Sequence, residues 1–167
     1  GLKDTLLSLR MHGQGDARYE HVHIGMNSRL DTIQAAILIE KLKIFPEELE
    51  LRERIARRYS EGFARSNRIR VPHVIDGARS TWAQYTIQLP DRDRVKADLE
   101  AKGIPAQIYY LTPLTAQRGY DEFPSAPLPV SEALGQTVLS LPMHPYLDEA
   151  TQDRIVETVL ESIGRTT

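Results

Sequence analysis

The apolar residues of this chain change their period once, and that change sets what it can build. Up to about residue 64 they recur at three- and four-residue steps: Ile33, Ala36, Ile37, Leu42 and Phe45, then Leu51, Ile55, Tyr59 and Phe63. Such steps draw one apolar stripe along an α-helix. From about residue 66 alternation takes over. In residues 82–89, Ala83, Tyr85, Ile87 and Leu89 fall on one side and Gln84, Thr86 and Gln88 on the other, which is a half-buried strand. Long helices should therefore come first and a small sheet with its own helices second. The expected boundary divides residues 1–65 from residues 66–167.

Local signals refine this order. Residues 2–11 suit a short helix ended near His12-Gly13, and a polar loop follows over residues 14–19. Ser28, with Asp31 three residues on, is expected to cap the next helix. Pro46 lacks an amide donor, and Glu47 and Glu48 follow it, so it should open a new or kinked helix. Further on, Ile69 and Val71 suggest a short strand before Pro72. A helix should open at Asp91 and close at Gly103, and residues 106–110 should run back as a strand. Residues 113–129 form a proline-rich loop, residues 131–138 a short helix, and a last helix from Asp148 should bury Ile155, Val156, Val159, Leu160 and Ile163. Strands with helices on one side imply a small α/β domain, α+β-like, whose sheet is mostly antiparallel and covered by helices.

With 167 residues, 41% of them hydrophobic, the chain can bury a real core. A net charge of −2 gives no footing for nucleic acid or an anionic membrane. There is no cysteine, hence no disulfide or thiolate site. No apolar run approaches the roughly 18 residues of a membrane span, and no signal-peptide pattern opens the sequence. A cytoplasmic protein is the expectation.

Two places carry chemistry. The run Gly25-Met26-Asn27-Ser28-Arg29-Leu30-Asp31, twelve residues after Gly13, presents an amide and a guanidinium on a turn before a helix. Both side chains suit anionic oxygens, and Arg grips carboxylate or phosphate with two parallel bonds. A turn-supporting Asn beside a solvated Arg gives the same pattern. Tyr109 and Tyr110, adjacent at the expected strand end, should point to opposite faces, one packing inward and one offering its hydroxyl; two ordinary sheet aromatics would look alike. His12, His21 and His23 lack carboxylate or cysteine partners at ligand spacing, so no metal is expected. His144, bounded by prolines, reads as structural. Arg52, Arg54, Arg57 and Arg58 alternate with glutamates as a solvated face. No glycine-rich phosphate loop of the familiar kinds occurs.

Taken together, Arg10-x-His12-Gly13, Tyr19, Gly25-x-Asn27-x-Arg29, Gln34-Ala35-Ala36, Lys41-Leu42, the stretch from Gly103 to Leu114 and Leu139-Ser140-Leu141-Pro142 resemble the DegT/DnrJ/EryC1/StrS sugar aminotransferases. The resemblance covers nearly the whole chain. The run from Asn27 to Leu38 and the stretch from Leu141 to Leu147 are nearest to the branch that aminates a UDP-2-acetamido-3-keto-glucuronate for lipopolysaccharide O-antigen synthesis. It implies a fold-type I transferase that uses pyridoxal phosphate at a homodimer interface, with a nucleotide-sugar substrate and an amino donor such as glutamate. Residues 1–65 would be the end of the large domain and interdomain helices, and residues 66–167 the small domain. Asn27 would reach the phosphate of the partner's cofactor. Arg29 would contact the sugar nucleotide, with Tyr110 near the substrate and Tyr109 beside it. Tyr109 and Thr115 stand where relatives carry His; a phenol donates a hydrogen bond but is no near-neutral proton shuttle. The Schiff-base lysine of such enzymes matches none of Lys3, Lys41, Lys43, Lys96 or Lys102, so no catalytic residue is assigned. On this resemblance the chain is the C-terminal portion of an enzyme and inactive alone. A non-catalytic interaction domain, and a dehydratase with His in place of the lysine, remain open.

Overall fold

A computed structural model describes residues 1–17 and 19–164; Arg18, inside the expected polar loop, lies outside them. The chain divides into two compact units, residues 1–45 and 46–167.

The first unit opens with helix α1 (Leu2–Arg10), which ends where His12-Gly13 was expected to stop it. Helix α2 (Thr32–Phe63) begins three residues later than a Ser28 cap would start it. Asp31 takes the capping place instead. Its carbonyl accepts from the Ala35 amide at 2.9 Å, and its own amide donates to Oε1 of Gln34 at 3.3 Å, half of a capping box. α2 continues through Pro46 as one helix, so no new helix opens there. A proline ring removes the bond to the carbonyl four residues back. Here that residue is Leu42, which is exposed, so water can take up its carbonyl.

The second unit contains the last turns of α2, strand β1 (Tyr85–Gln88), helix α3 (Arg92–Ala101), helix α4 (Pro129–Thr137), strand β2 (Val138–Leu141) and helix α5 (Glu149–Gly164). β1 and β2 pair antiparallel, with Tyr85 opposite Leu141 and Ile87 opposite Leu139. These four side chains are buried and share one core with Ile55, Tyr59 and Phe63 of α2, Val95 and Leu99 of α3, and Ile155, Val159 and Ile163 of α5. On the opposite face, Thr86 and Ser140 join hydroxyls at 2.8 Å. The fold class is α/β with a small antiparallel sheet, as the alternation implied.

Several edges differ from expectation. The strand read over residues 82–89 forms a ladder only over Tyr85–Gln88. Those read at Ile69–Val71 and over residues 106–110 shrink to single bridges, Arg70 with Gln88 and Gln107 with Ser140. Each has its proline nearby (Pro72, Pro105), and proline cannot donate to a ladder. β2 lacks alternation because all four of its residues are buried, so its pattern is silent to a period-2 reading. α5 is capped by Asp148, whose carboxylate accepts from the backbone amide and the hydroxyl of Thr151, each at 2.8 Å. Those bonds hold the Asp148 pKa below its ordinary value.

Candidate functional site

Asn27 and Arg29 stand on a segment fastened to the end of α1, with Asn27 bridged antiparallel to Met11. The last carbonyls of a helix have no partner inside it. Here the segment supplies some, the Met26 amide donating to Leu9 O at 2.8 Å and the Ser28 amide to Arg10 O at 3.0 Å. The Gly13 amide, just past α1, donates to Ser8 O at 2.8 Å. The His12 amide in turn donates to Met26 O at 3.0 Å.

Two glycines permit the approach. A Cβ on Gly25 would fall 2.1 Å from the Gly13 nitrogen, and one on Gly13, whose φ is +76°, would fall 1.8 Å from His23 O. No L side chain fits at either place. The twelve-residue spacing between the glycines is thus a backbone-on-backbone contact, which sequence reading took only as spacing.

On this support Arg29 Nε donates to Asn27 Oδ1 at 2.9 Å. That bond fixes which way the Asn27 amide turns, since its oxygen is occupied and its NH2 group is left as a donor. Both residues are exposed, and among the described residues Arg29 has no carboxylate within ion-pair distance. The pair therefore presents the Asn27 NH2, the terminal guanidinium nitrogens of Arg29 and a positive charge, which suit a phosphate or carboxylate.

Tyr109 and Tyr110 do not end a strand and do not face opposite ways. They lie in a turn, joined by a cis peptide, with ring centroids 5.7 Å apart and planes at 66°. The residue alternation that would part them needs extended backbone, and pairing stops at Gln107. Both are exposed, Tyr110 more so. Tyr109 borders a cleft of ≈ 290 Å³ together with Gln84, Gln107, Ser140 and Met143. Its polar lining is uncharged amide and hydroxyl. The two tyrosines belong to the second unit, and Asn27 with Arg29 to the first.

The remaining candidates are structural in appearance. His21 Nδ1 lies 3.0 Å from His12 O, and among the described residues no group of three or more His, Asp or Glu gathers as a metal site. In the arginine run, Arg58 binds Asp153 at 2.8 Å and Glu149 at 3.2 Å, while Arg52 donates to Trp82 O at 2.9 Å. Lys43 pairs with Glu40, Lys96 with Glu100 and Lys102 with Glu161, and Lys3 and Lys41 are exposed. Pyridoxal phosphate needs donors for its phosphate and an amine in a sheltered site. This chain holds candidate donors, but no buried lysine, so its own residues do not make a complete site for that group.

The family model of the DegT/DnrJ/EryC1/StrS aminotransferases matches residues 1–160. The chain belongs to this family. Among its DegT/DnrJ/EryC1/StrS relatives is the UDP-2-acetamido-2-deoxy-3-oxo-D-glucuronate aminotransferase of Pseudomonas aeruginosa, 43% identical over 90% of this chain and 41% of its own length. A family aminotransferase of known structure from Brucella abortus superposes with a TM-score of 0.87 at 52% identity, over 96% of this chain and 43% of that one. S. venezuelae DesV, solved with a ketimine intermediate, gives 0.89 at 30% identity over 99% and 45%. The chain spans about two fifths of the length of these relatives. Among the described residues no helix is long and apolar enough to cross a membrane.

Proposed function

We propose that the chain is the C-terminal portion of a cytoplasmic, pyridoxal-phosphate-dependent aminotransferase that transfers an amino group from a donor such as glutamate to a UDP-linked 3-keto uronic acid, in the making of lipopolysaccharide O-antigen. The observation that carries this reading is the hydrogen-bonded Asn27–Arg29 pair, with no carboxylate within ion-pair distance of Arg29 among the described residues, on a segment clamped to α1. The name of the P. aeruginosa relative supports the substrate class. In this reading residues 1–65 complete the large domain and its interdomain helices, residues 66–167 form the small domain, and the active site is shared by two protomers.

Each residue then has a task its chemistry fits. Asn27, its amide orientation fixed by Arg29, donates N–H to the cofactor phosphate of the neighbouring protomer. Arg29 keeps its two terminal nitrogens for the diphosphate or the uronate, both matched to a planar fork. Tyr110 and Tyr109 offer phenol hydrogen bonds to the sugar. When bound, pyridoxal phosphate supplies the carbonyl that ferries the amino group; the lysine that holds it comes from sequence upstream of residue 1.

Steady-state kinetics of the intact protein carrying this chain test the reading. Arg29→Ala should raise KM for the UDP-keto-sugar by about 10- to 100-fold, the worth of a charged hydrogen bond or two. Asn27→Ala should instead weaken retention of pyridoxal phosphate. If both variants keep wild-type cofactor affinity and sugar KM, the assignment is wrong. The 167-residue chain alone should give no borohydride-reducible absorbance with pyridoxal phosphate.

A further inference from the structure

Helix α4 carries a glycine in its interior, where glycine is less stable than alanine. The reason lies outside the helix. A Cβ on Gly135 would stand 2.6 Å from the carbonyl oxygen of Leu111 and 3.6 Å from that of Tyr110. The backbone leaving the tyrosine turn rests directly on α4 at the one residue that has no side chain. Arg92 grips the same residue by its carbonyl. Buried to 2% exposure, its guanidinium donates to Gly135 O and to Val138 O, each at 3.0 Å, and to the Asp93 carboxylate at 2.7 Å. It thereby locks the joint between α4 and β2. Ahead of the turn, Gln107 exchanges both backbone bonds with Ser140 of β2, at 3.0 and 2.7 Å. The segment from Gln107 to Leu111 is thus pinned to β2 at one end and to α4 at the other, with one clamp holding both supports. Between the pins stand two exposed phenols that little side-chain packing holds.

We propose that Gly135 and Arg92 are positioning residues for sugar recognition: they touch no substrate but set where Tyr109 and Tyr110 present their hydroxyls. This rests on the reading of Tyr110 as a residue on the substrate side. A purely structural role predicts a loss of stability shared by both half-reactions, because the added methyl would crowd the Leu111 carbonyl; a positioning role predicts a loss confined to the sugar.

The test is Gly135→Ala in the intact enzyme, with glutamate and UDP-2-acetamido-2-deoxy-3-oxo-D-glucuronate assayed as separate half-reactions. A turn displaced by the added methyl should raise the sugar KM about tenfold, while the glutamate half-reaction holds within about twofold. In a Tyr110→Ala background the same change should add almost nothing. Gly164→Ala, whose Cβ would meet nothing within 4 Å, should leave both half-reactions alone. If Gly135→Ala does not fold, Ala133→Gly, which loosens α4 without adding an atom to the contact, should raise the sugar KM in the same selective way. An unchanged sugar KM beside a Tyr110→Ala that does raise it overturns the positioning role alone, as does an equal loss in both half-reactions. A Tyr110→Ala with unchanged sugar KM overturns the role together with the reading beneath it.

Discussion

Tyr59 and Tyr85 keep their phenols inside the core of the second unit, with ring centroids 5.0 Å apart. Tyr59 donates to Pro142 O at 3.0 Å, and the Tyr85 hydroxyl meets Ser60 Oγ at 2.8 Å. Burial, and then the neighbouring Tyr85, push the Tyr59 pKa well up. Burial pushes Tyr85 up to about 12, against a smaller lowering by Ser60. An unfolded tyrosine titrates near ~10. The folded state therefore holds its phenol protons more tightly, and the stability they bring is complete below about pH 10 and drains away as pH climbs through the folded values. Urea unfolding followed by Trp82, the one tryptophan, should show a flat midpoint to about pH 9 and a steep fall above about 10. Tyr59→Phe with Tyr85→Phe should flatten that alkaline limb, and an unaltered slope would count against the buried phenols. At neutral pH Tyr59→Phe alone should cost about 1–2 kcal/mol, because the Pro142 carbonyl loses its donor. Arg92→Met strands two buried carbonyls and should cost about 2–4 kcal/mol in the same assay.

Among the elements, those whose side chains report their own surroundings could be read directly. α3 and α5 show a buried stripe at helical steps, and β1 alternates between core and open face, so their periods match their contacts. β2 could not be read so: all four residues are buried, and no alternation survives when both faces are covered. At the candidate site, Asn27 and Arg29 could be picked out because an amide and a guanidinium suit anionic oxygens, although a turn-supporting Asn beside a solvated Arg reads the same in sequence. Gly13, Gly25 and Gly135 act by what they lack, and an absent side chain leaves no chemical signal. Their worth shows only once the backbone they admit is in place. The Tyr109–Tyr110 turn failed for a related reason, since alternation was extended past Gln107, where pairing ends. Pro46 sits inside α2 where the residue it deprives of a bond, Leu42, is open to water, and it yields a prediction. Pro46→Ala restores an amide donor toward Leu42 and should slow hydrogen exchange over residues 43–50. The Trp82-monitored unfolding midpoint should stay in place or rise. Unchanged exchange would mean that α2 already closes around the proline without strain.

For the molecule as a whole, the two units differ in what holds them. The second has a shared core of helices and sheet. In the first, Gly13 is the only buried residue among those described, and apolar side chains lie open: Ile24 at 101%, Leu2 and Ile33 at 77%. The N-terminal part of α2 adds Ile37, Leu42 and Phe45, all exposed. Local hydrogen bonds close the α1 turn, but hydrogen bonds alone return only about 1 kcal/mol each against the cost of ordering the chain. A surface of this kind needs a covering body. In solution without one, the 167-residue chain should cover it with copies of itself. Sedimentation velocity at rising concentration should show association, and Ile33→Asp with Ile37→Asp should return the chain to a monomer. Trp82 lies in the other unit, so its urea midpoint should hardly move in that variant. A wild-type chain that stays monomeric, with residues 1–45 strongly protected from hydrogen exchange, would mean that this unit is held by something other than a partner surface.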